Sequence, residues 1–241
     1  MSLGFGYQAR IGHLYPSGGL CDFEVQLMAP AGVQFVTTRM PFSRTSLESD
    51  KAVVADVESH AALLATAEVS LIAMNCTAAS MAVGAQAINQ RIFDATGIPS
   101  ITTTDAILAA LRAIGASRVA LMTPYPSEVV EMEIAFLARH NIEVTCDISD
   151  PCSTPIQQGS FPASHWAELA AQIDTDQADA VLISCAGIQV SGVIEAIERA
   201  GKPVVASNQA LLWHCLRTLG LTDRPSGFGS LLAGRFDKRA S

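Results

Sequence analysis

The sequence predicts an α/β protein made of two similar halves, and three observations carry that reading. Short β-branched runs alternate with helical patterns along the 241 residues, the βαβα pattern of parallel sheets covered on both faces. A repeat relates the two halves: "GIPSITTT" (97–104) matches "GKPVVASN" (201–208), and "LRAIG" (111–115) matches "LRTLG" (216–220). Each copy follows a strand that ends in a cysteine, Cys76 in one half and Cys185 in the other. The expected architecture is two Rossmann-like half-domains with parallel sheets, related by a pseudo-twofold, with the active site in the cleft between them. One half takes residues 1–105 plus 216–241 and the other 106–215.

Taken in order, "RIGHLYPS" (10–17) reads as the first strand and "VQFVTTRM" (33–40) as the second. Residues 50–67 have the apolar spacing of a helix. "EVSLIAMNC" (68–76) is a buried strand, apolar without alternation, and a helix over 82–97 ends at a glycine stop. A strand at 99–104 and a helix at 105–115, again stopped by glycine, complete the first half. The pattern restarts with a strand at 117–125, a helix at 127–141 capped by Asn141, and a strand at 142–148. The polar stretch "SDPCSTPIQQGSFPA" (149–163) reads as a loop long enough to be a lid or binding loop. Helices at 164–173, 190–201 and 209–220 then alternate with strands at 178–187 and 202–208. The polar tail, 221–241, is expected to pack loosely.

Composition narrows the function. A net charge of −8 with 6% aromatic residues is a poor basis for binding nucleic acid or an anionic membrane. No apolar run reaches the ~18 residues of a membrane span, and the first residues lack the basic and apolar regions of a secretory signal. The six cysteines lack metal-type spacing and are expected to be reduced thiols in a cytoplasmic protein. "GFGYQA" precedes the first strand, so it is not a dinucleotide fingerprint, and there is no P-loop, HExxH or histidine cluster. No cofactor and no metal site are expected. A homo-oligomer is left open.

Cys76 and Cys185 carry the chemistry. An isolated buried cysteine is usually a small hydrophobe, but a repeated strand–cysteine–small-residue element calls for another reason. Each thiol falls between a strand end and the next helix, where amide dipoles favour a thiolate. Ligands of open α/β sheets bind beyond such strand ends. Two thiols on opposite walls of a cleft suit removal of a proton on one face and its delivery on the other. They equally suit addition of a thiolate to a double bond with protonation by the second thiol. Thr77 and Ala78 follow one thiol, Ala186 and Gly187 the other, and small residues there let backbone N–H groups approach a ligand oxygen. Ser17 with Gly18 and Gly19 makes a further anion-friendly loop, and Tyr125 is placed to donate its hydroxyl to a carboxylate. Thr102–Thr104 and Ser207–Asn208 end equivalent strands, where helix capping is the plainer role. The expected partner is a small carboxylate.

"NCTAAS", "SCAGI", "YPSGG", "TPY" and "ASNQALLW" together resemble the Asp/Glu racemase superfamily, nearest its maleate cis–trans isomerase and arylmalonate decarboxylase branch. The resemblance covers most of the chain. It implies a cofactor-independent enzyme that uses Cys76 and Cys185, with Thr77 and Tyr125 on a substrate carboxylate and Asn75 or Asn208 as candidates to replace the asparagine missing after the first "PS". Racemases and maleate isomerases of this superfamily use two cysteines, whereas arylmalonate decarboxylases keep only the second. "CTAAS" and "TPYPSEV" look like the decarboxylase branch. Ala186–Gly187 stands where amino-acid racemases carry Thr–Glu, and Gly18–Gly19 where maleate isomerases carry a carboxylate-gripping asparagine. The resemblance implies maleate-type isomerisation first. Racemisation of an amino acid or hydantoin, arylmalonate-type decarboxylation and non-catalytic ligand binding are the alternatives.

Overall fold

The computed structural model describes residues 5–237; Gly4, which opens "GFGYQA", and the last four residues of the tail lie outside them. The first half runs β1 (Ala9–Pro16), α1 (Phe23–Met28), β2 (Val33–Met40), α2 (Leu47–Ala52), α3 (Val57–Ala65), β3 (Leu71–Met74), α4 (Thr77–Val83), α5 (Ala85–Thr96), β4 (Ser100–Thr102) and α6 (Thr103–Ile114). The second runs β5 (Arg118–Thr123), α7 (Ser127–Arg139), β6 (Glu143–Ser149), α8 (Pro155–Ser160), α9 (Ala163–Ala170), β7 (Ala180–Ile183), α10 (Ile194–Glu198), β8 (Val204–Ala206) and α11 (Ser207–Thr218). Two four-stranded parallel sheets result, ordered β2-β1-β3-β4 and β6-β5-β7-β8. Counted from the start of each half, the order is the same.

That order places the site. The chain steps outward from β1 to β2, then returns to the other side of β1 with β3, so strand order reverses between β1 and β3. The second sheet reverses between β5 and β7. Clefts open beyond the carboxyl ends of strands at such reversals. Leu14 pairs with Met74 and Met122 with Ile183, so Pro16 leaves the first sheet beside Cys76, and Pro124 leaves the second beside Cys185. β3 ("LIAM") and β7 ("AVLI") are buried at every position, which explains their unbroken apolar runs. One hydrophobic core joins the halves, from Ile11 and Leu71 through Ile107 of α6 and Leu211 of α11 to Leu121 and Leu182.

Local chemistry sets the element ends and corrects several expectations. Gly97 and Gly115 stop α5 and α6 in left-handed conformation, at φ +69° and +74°. The strand expected over 99–104 is cut short because Thr102 caps α6. Its hydroxyl accepts from the Asp105 N–H at 3.2 Å, and Asp105 accepts the Thr102 N–H at 2.9 Å. The helix expected over 50–67 is broken into α2 and α3 by a turn at 53–56 that buries Val53 and Val54. α4, which starts directly after Cys76, was not expected before residue 82, and α1 was not expected at all. The loop expected over 149–163 contains α8, begun by the Thr154 cap and by Pro155 at the first helical position. The helix expected over 190–201 reduces to a 3-10 turn, Ser191–Val193, and α10.

The tail is not loosely packed. Leu231 and Leu232 are buried in the shared core, and the Asp237 carboxylate accepts from Arg217 and Arg224. Apolar pairing at two positions outweighs the polar average of the segment. Leu232→Ala is expected to lower the unfolding free energy by ~2–5 kcal/mol, the usual range for emptying a buried leucine site, as read by urea denaturation. Among the described residues no helix is long and apolar enough to cross a membrane.

Candidate active site

A small cavity of about 30 Å3 lies where the two strand-order reversals face each other. Strand ends and the turns after them supply Tyr15, Pro16, Cys76, Thr77, Ala78, Tyr125, Cys185, Ala186 and Gly187. Gly19 of the loop after β1 adds to these, and two covering segments supply the rest: Phe42 and Thr45 from the β2–α2 connection with Asp50 of α2, and Pro155 and Gln158 from α8. The Thr45 N–H donates to Ser153 O at 3.1 Å and ties the two segments together.

Both thiols open on this cavity, and both are neutral at rest. Cys76 occupies the position before the first turn of α4. Burial pushes its thiol well above the ordinary range, and the Asp50 charge adds to this, against a lowering by the Ala79 N–H. Burial likewise pushes Cys185 up to about 12, although the Tyr125 hydroxyl and the Gly187 N–H both favour its thiolate. The Gly187 N–H reaches Cys185 Sγ at 3.1 Å, and Sγ donates to Gln158 Oε1 at 3.7 Å. The expectation of thiols lowered by helix N-termini is therefore corrected. One short helix does not offset full burial at Cys76. At Cys185 no helix follows directly, because the chain turns through Ala186 and Gly187 and the next α-helix begins at Ile194.

Of the polar residues expected around the thiols, Thr77, Ala78, Tyr125, Ala186 and Gly187 line the cavity. Ser17, Gly18, Asn75 and Asn208 do not. The Ser17 hydroxyl accepts the Phe42 N–H at 3.0 Å, and the Gly18 N–H donates to Phe42 O at 3.0 Å. Ser17 and Gly18 therefore hold a covering segment, and of this loop Gly19 reaches the cavity. Asn75 and Asn208 lie behind the thiols, where backbone and side-chain partners use up their amides. Asn75 Nδ2 donates to Asn208 Oδ1 at 2.9 Å and to His13 Nε2 at 3.0 Å. Burial holds His13 neutral, its pKa lowered to about 3, so its proton sits on Nδ1 and is donated to Thr37 Oγ1 at 3.0 Å. Asn208 Nδ2 donates to Ala186 O at 3.1 Å and to Glu24 Oε2 at 3.2 Å. Tyr15 donates to the same Ala186 carbonyl at 3.1 Å. Asn75 thus links the ends of the two sheets, and Asn208 with Tyr15 fixes the turn that carries Cys185.

Several cavity residues escaped sequence reading. Tyr15 had a signal, since it ends the first strand beside Pro16. Asp50, Thr45 and Gln158 had none, because nothing local distinguishes them from surface polar residues. Glu133 of α7 lies outside the cavity, where its carboxyl accepts from the Ser184 hydroxyl next to Cys185 and is buried.

Paired parallel sheets of identical order, with a thiol from each reversal facing one cavity, define a two-lobed α/β protein whose working site is assembled by both lobes. The chain belongs to the arylmalonate decarboxylase family, whose sequence profile matches residues 13–232. It is 29% identical over 224 residues to the arylmalonate decarboxylase of Bordetella bronchiseptica, covering 90% of this chain and 92% of that one. It superposes with a TM-score of 0.89 on a maleate isomerase from Pseudomonas putida S16 solved with maleate, at 25% identity, covering 95% and 99% of the two chains. A maleate cis–trans isomerase from Nocardia farcinica, a cysteine-to-serine variant holding a covalent succinylcysteine intermediate, matches at a TM-score of 0.87 and 26% identity over 93% and 98%. The resemblance and the fold read from the sequence are both borne out.

Proposed function

We propose that this protein is a cofactor-independent isomerase that interconverts the cis and trans forms of a small unsaturated carboxylate by way of both thiols. The observation that carries the reading is that Cys76 and Cys185 line one cavity together with Tyr125. The maleate bound in one structural neighbour and the succinylcysteine in another support it.

Cys76 Sγ, its proton released to solvent as the substrate binds and regained from solvent after turnover, attacks one alkene carbon as the thiolate. The S–H of Cys185 protonates the neighbouring carbon, and the resulting C–C single bond rotates. Cys185 then takes the proton back, the C–S bond breaks, and the double bond re-forms in the trans geometry. One S–H adds across the alkene and is later eliminated, so no electrons are gained or lost. The neutral resting state of Cys185 suits its role as acid. Cys76 becomes a nucleophile only on losing its proton, which the Ala79 N–H in the first turn of α4 then favours. Thr77, Tyr125 and the Ala186 and Gly187 backbone hold the carboxylate, whose charge spreads to an enediolate during addition.

Proton NMR with maleate in deuterated buffer tests the reading. Fumarate is expected to appear without any added cofactor. Absence of reaction, with an arylmalonate losing its carboxyl group instead, assigns the chain to the decarboxylase chemistry of its Bordetella relative.

A further inference from the structure

Asp50 is the cavity residue that the isomerase mechanism leaves unused. It sits in the first turn of α2, on a covering segment, and lines the same cavity as the two thiols. Its side chain is 2% exposed, and its Oδ2 has no hydrogen-bond partner among the described residues. A buried carboxyl oxygen without a partner is costly, and native structures keep one where a ligand completes it. The cavity lining contains no Lys, Arg or His, and the nearest charge acting on Asp50 is the carboxylate of Glu128, of the same sign. A dianionic substrate would set its second carboxylate into this cavity against Asp50 with no cation between them.

We propose that Asp50 is a specificity-determining residue that accepts a hydrogen bond from the substrate, so that the substrate is a monocarboxylate whose second polar end carries an N–H or O–H donor, not a symmetric dicarboxylate. The inference rests on the isomerase reading, because it names the substrate class of the same site. The monoamide of maleate is the simplest molecule of that class. Its carboxylate goes to the donors around the thiols, and its amide N–H goes to Asp50 Oδ2. Burial raises the Asp50 carboxyl to about 7, so near neutrality an ionised fraction is present to accept that bond in its charge-assisted form.

The test compares maleate with its monoamide in turnover, and succinate with its monoamide in calorimetric binding, on the wild type, Asp50→Asn and Asp50→Ser. The wild type is expected to favour the monoamide at least tenfold in kcat/KM and in Kd. Both variants are expected to shift that ratio at least tenfold toward the dicarboxylate, through KM more than kcat. A wild type that favours maleate overturns the inference and leaves the isomerase reading standing. Monoamide preference in binding with no turnover of either acid overturns the isomerase reading and leaves Asp50 as the reader of the ligand. Equal loss of kcat on both substrates in the variants makes Asp50 a proton acceptor for the chemistry and overturns the specificity role. So does an unchanged ratio, or failure of both succinate compounds to bind. If a variant does not fold, the wild-type ratio decides.

Discussion

Cys185→Ala and Cys76→Ala are each expected to lower kcat for cis–trans isomerisation by ~10^3-fold or more, because each removes a participant in bond making that nothing else in the cavity replaces. A thousandfold loss corresponds to about 4 kcal/mol of transition-state stabilisation. The folds should survive. Both cysteines are buried, at 7% and 4% exposed, and the costliest consequence of the alanine changes is that Cys185→Ala leaves the Gly187 N–H without its Sγ acceptor, a loss of ~1–3 kcal/mol. The two variants differ in what accumulates. With Cys185→Ser the nucleophile remains while the acid is weakened, so intact-protein mass spectrometry after incubation with maleate should find a substrate adduct on Cys76. With Cys76→Ser no adduct should form. Retention of more than a tenth of wild-type turnover in either alanine variant sinks the two-thiol mechanism, and an adduct mapped to Cys185 reverses the roles.

The thiols were legible because of what parallel sheets demand. A strand covered on both faces must be apolar throughout, so "LIAM" and "AVLI" stand out. A polar residue just after each, Asn75–Cys76 and Ser184–Cys185, marks the strand end where a ligand meets the sheet. The repeat makes the two strand ends equivalent within the sequence itself. The ionisation of the thiols was not legible. Position at a strand–helix junction gave the direction of one contribution, but burial is a property of the whole fold and it outweighs the amides at both sites. Asn75 and Asn208 were rightly singled out as polar residues at strand ends. Only the tertiary structure tells that they face each other, 2.9 Å apart, and not the cavity. Asp50 and Gln158 reach the site because two covering segments fold over it from different halves, and no periodicity in either segment encodes that. The tail misled for a related reason: Leu231 and Leu232 are two apolar residues in a polar stretch, yet they anchor it.

Glu133 sets the pH dependence of stability. It is buried beneath the second thiol, its Oε2 has no partner, and burial raises its carboxyl from 4.5 to about 8 despite the Ser184 hydrogen bond. Asp50 is raised in the same direction, from 3.8 to about 7. Between each ordinary value and its raised one, the folded chain binds protons that the unfolded chain has released. These two groups make unfolding free energy fall as pH rises through that window, while buried, neutral His13, lowered from 6.5 to about 3, opposes them below pH ~6.5. The stabilisation is fully present below pH ~4, starts to decline above it, and is lost by pH ~8. Urea denaturation from pH 6.5 to 9, above the window in which His13 opposes the carboxyls, should therefore show a decline on the order of a few kcal/mol toward alkaline pH. Glu133→Gln keeps the shape and a polar group for Ser184 but cannot ionise. It is expected to be more stable than the wild type at pH 9, to lose most of the slope above pH 7, and to retain the Asp50 part below it. A wild type of constant stability across this range, or a glutamine variant with an unchanged slope, means that Glu133 keeps its charge in the folded protein. An ionised Glu133 would in turn push the Cys185 thiol still higher through its charge, so the same titration reports on the acid of the proposed reaction.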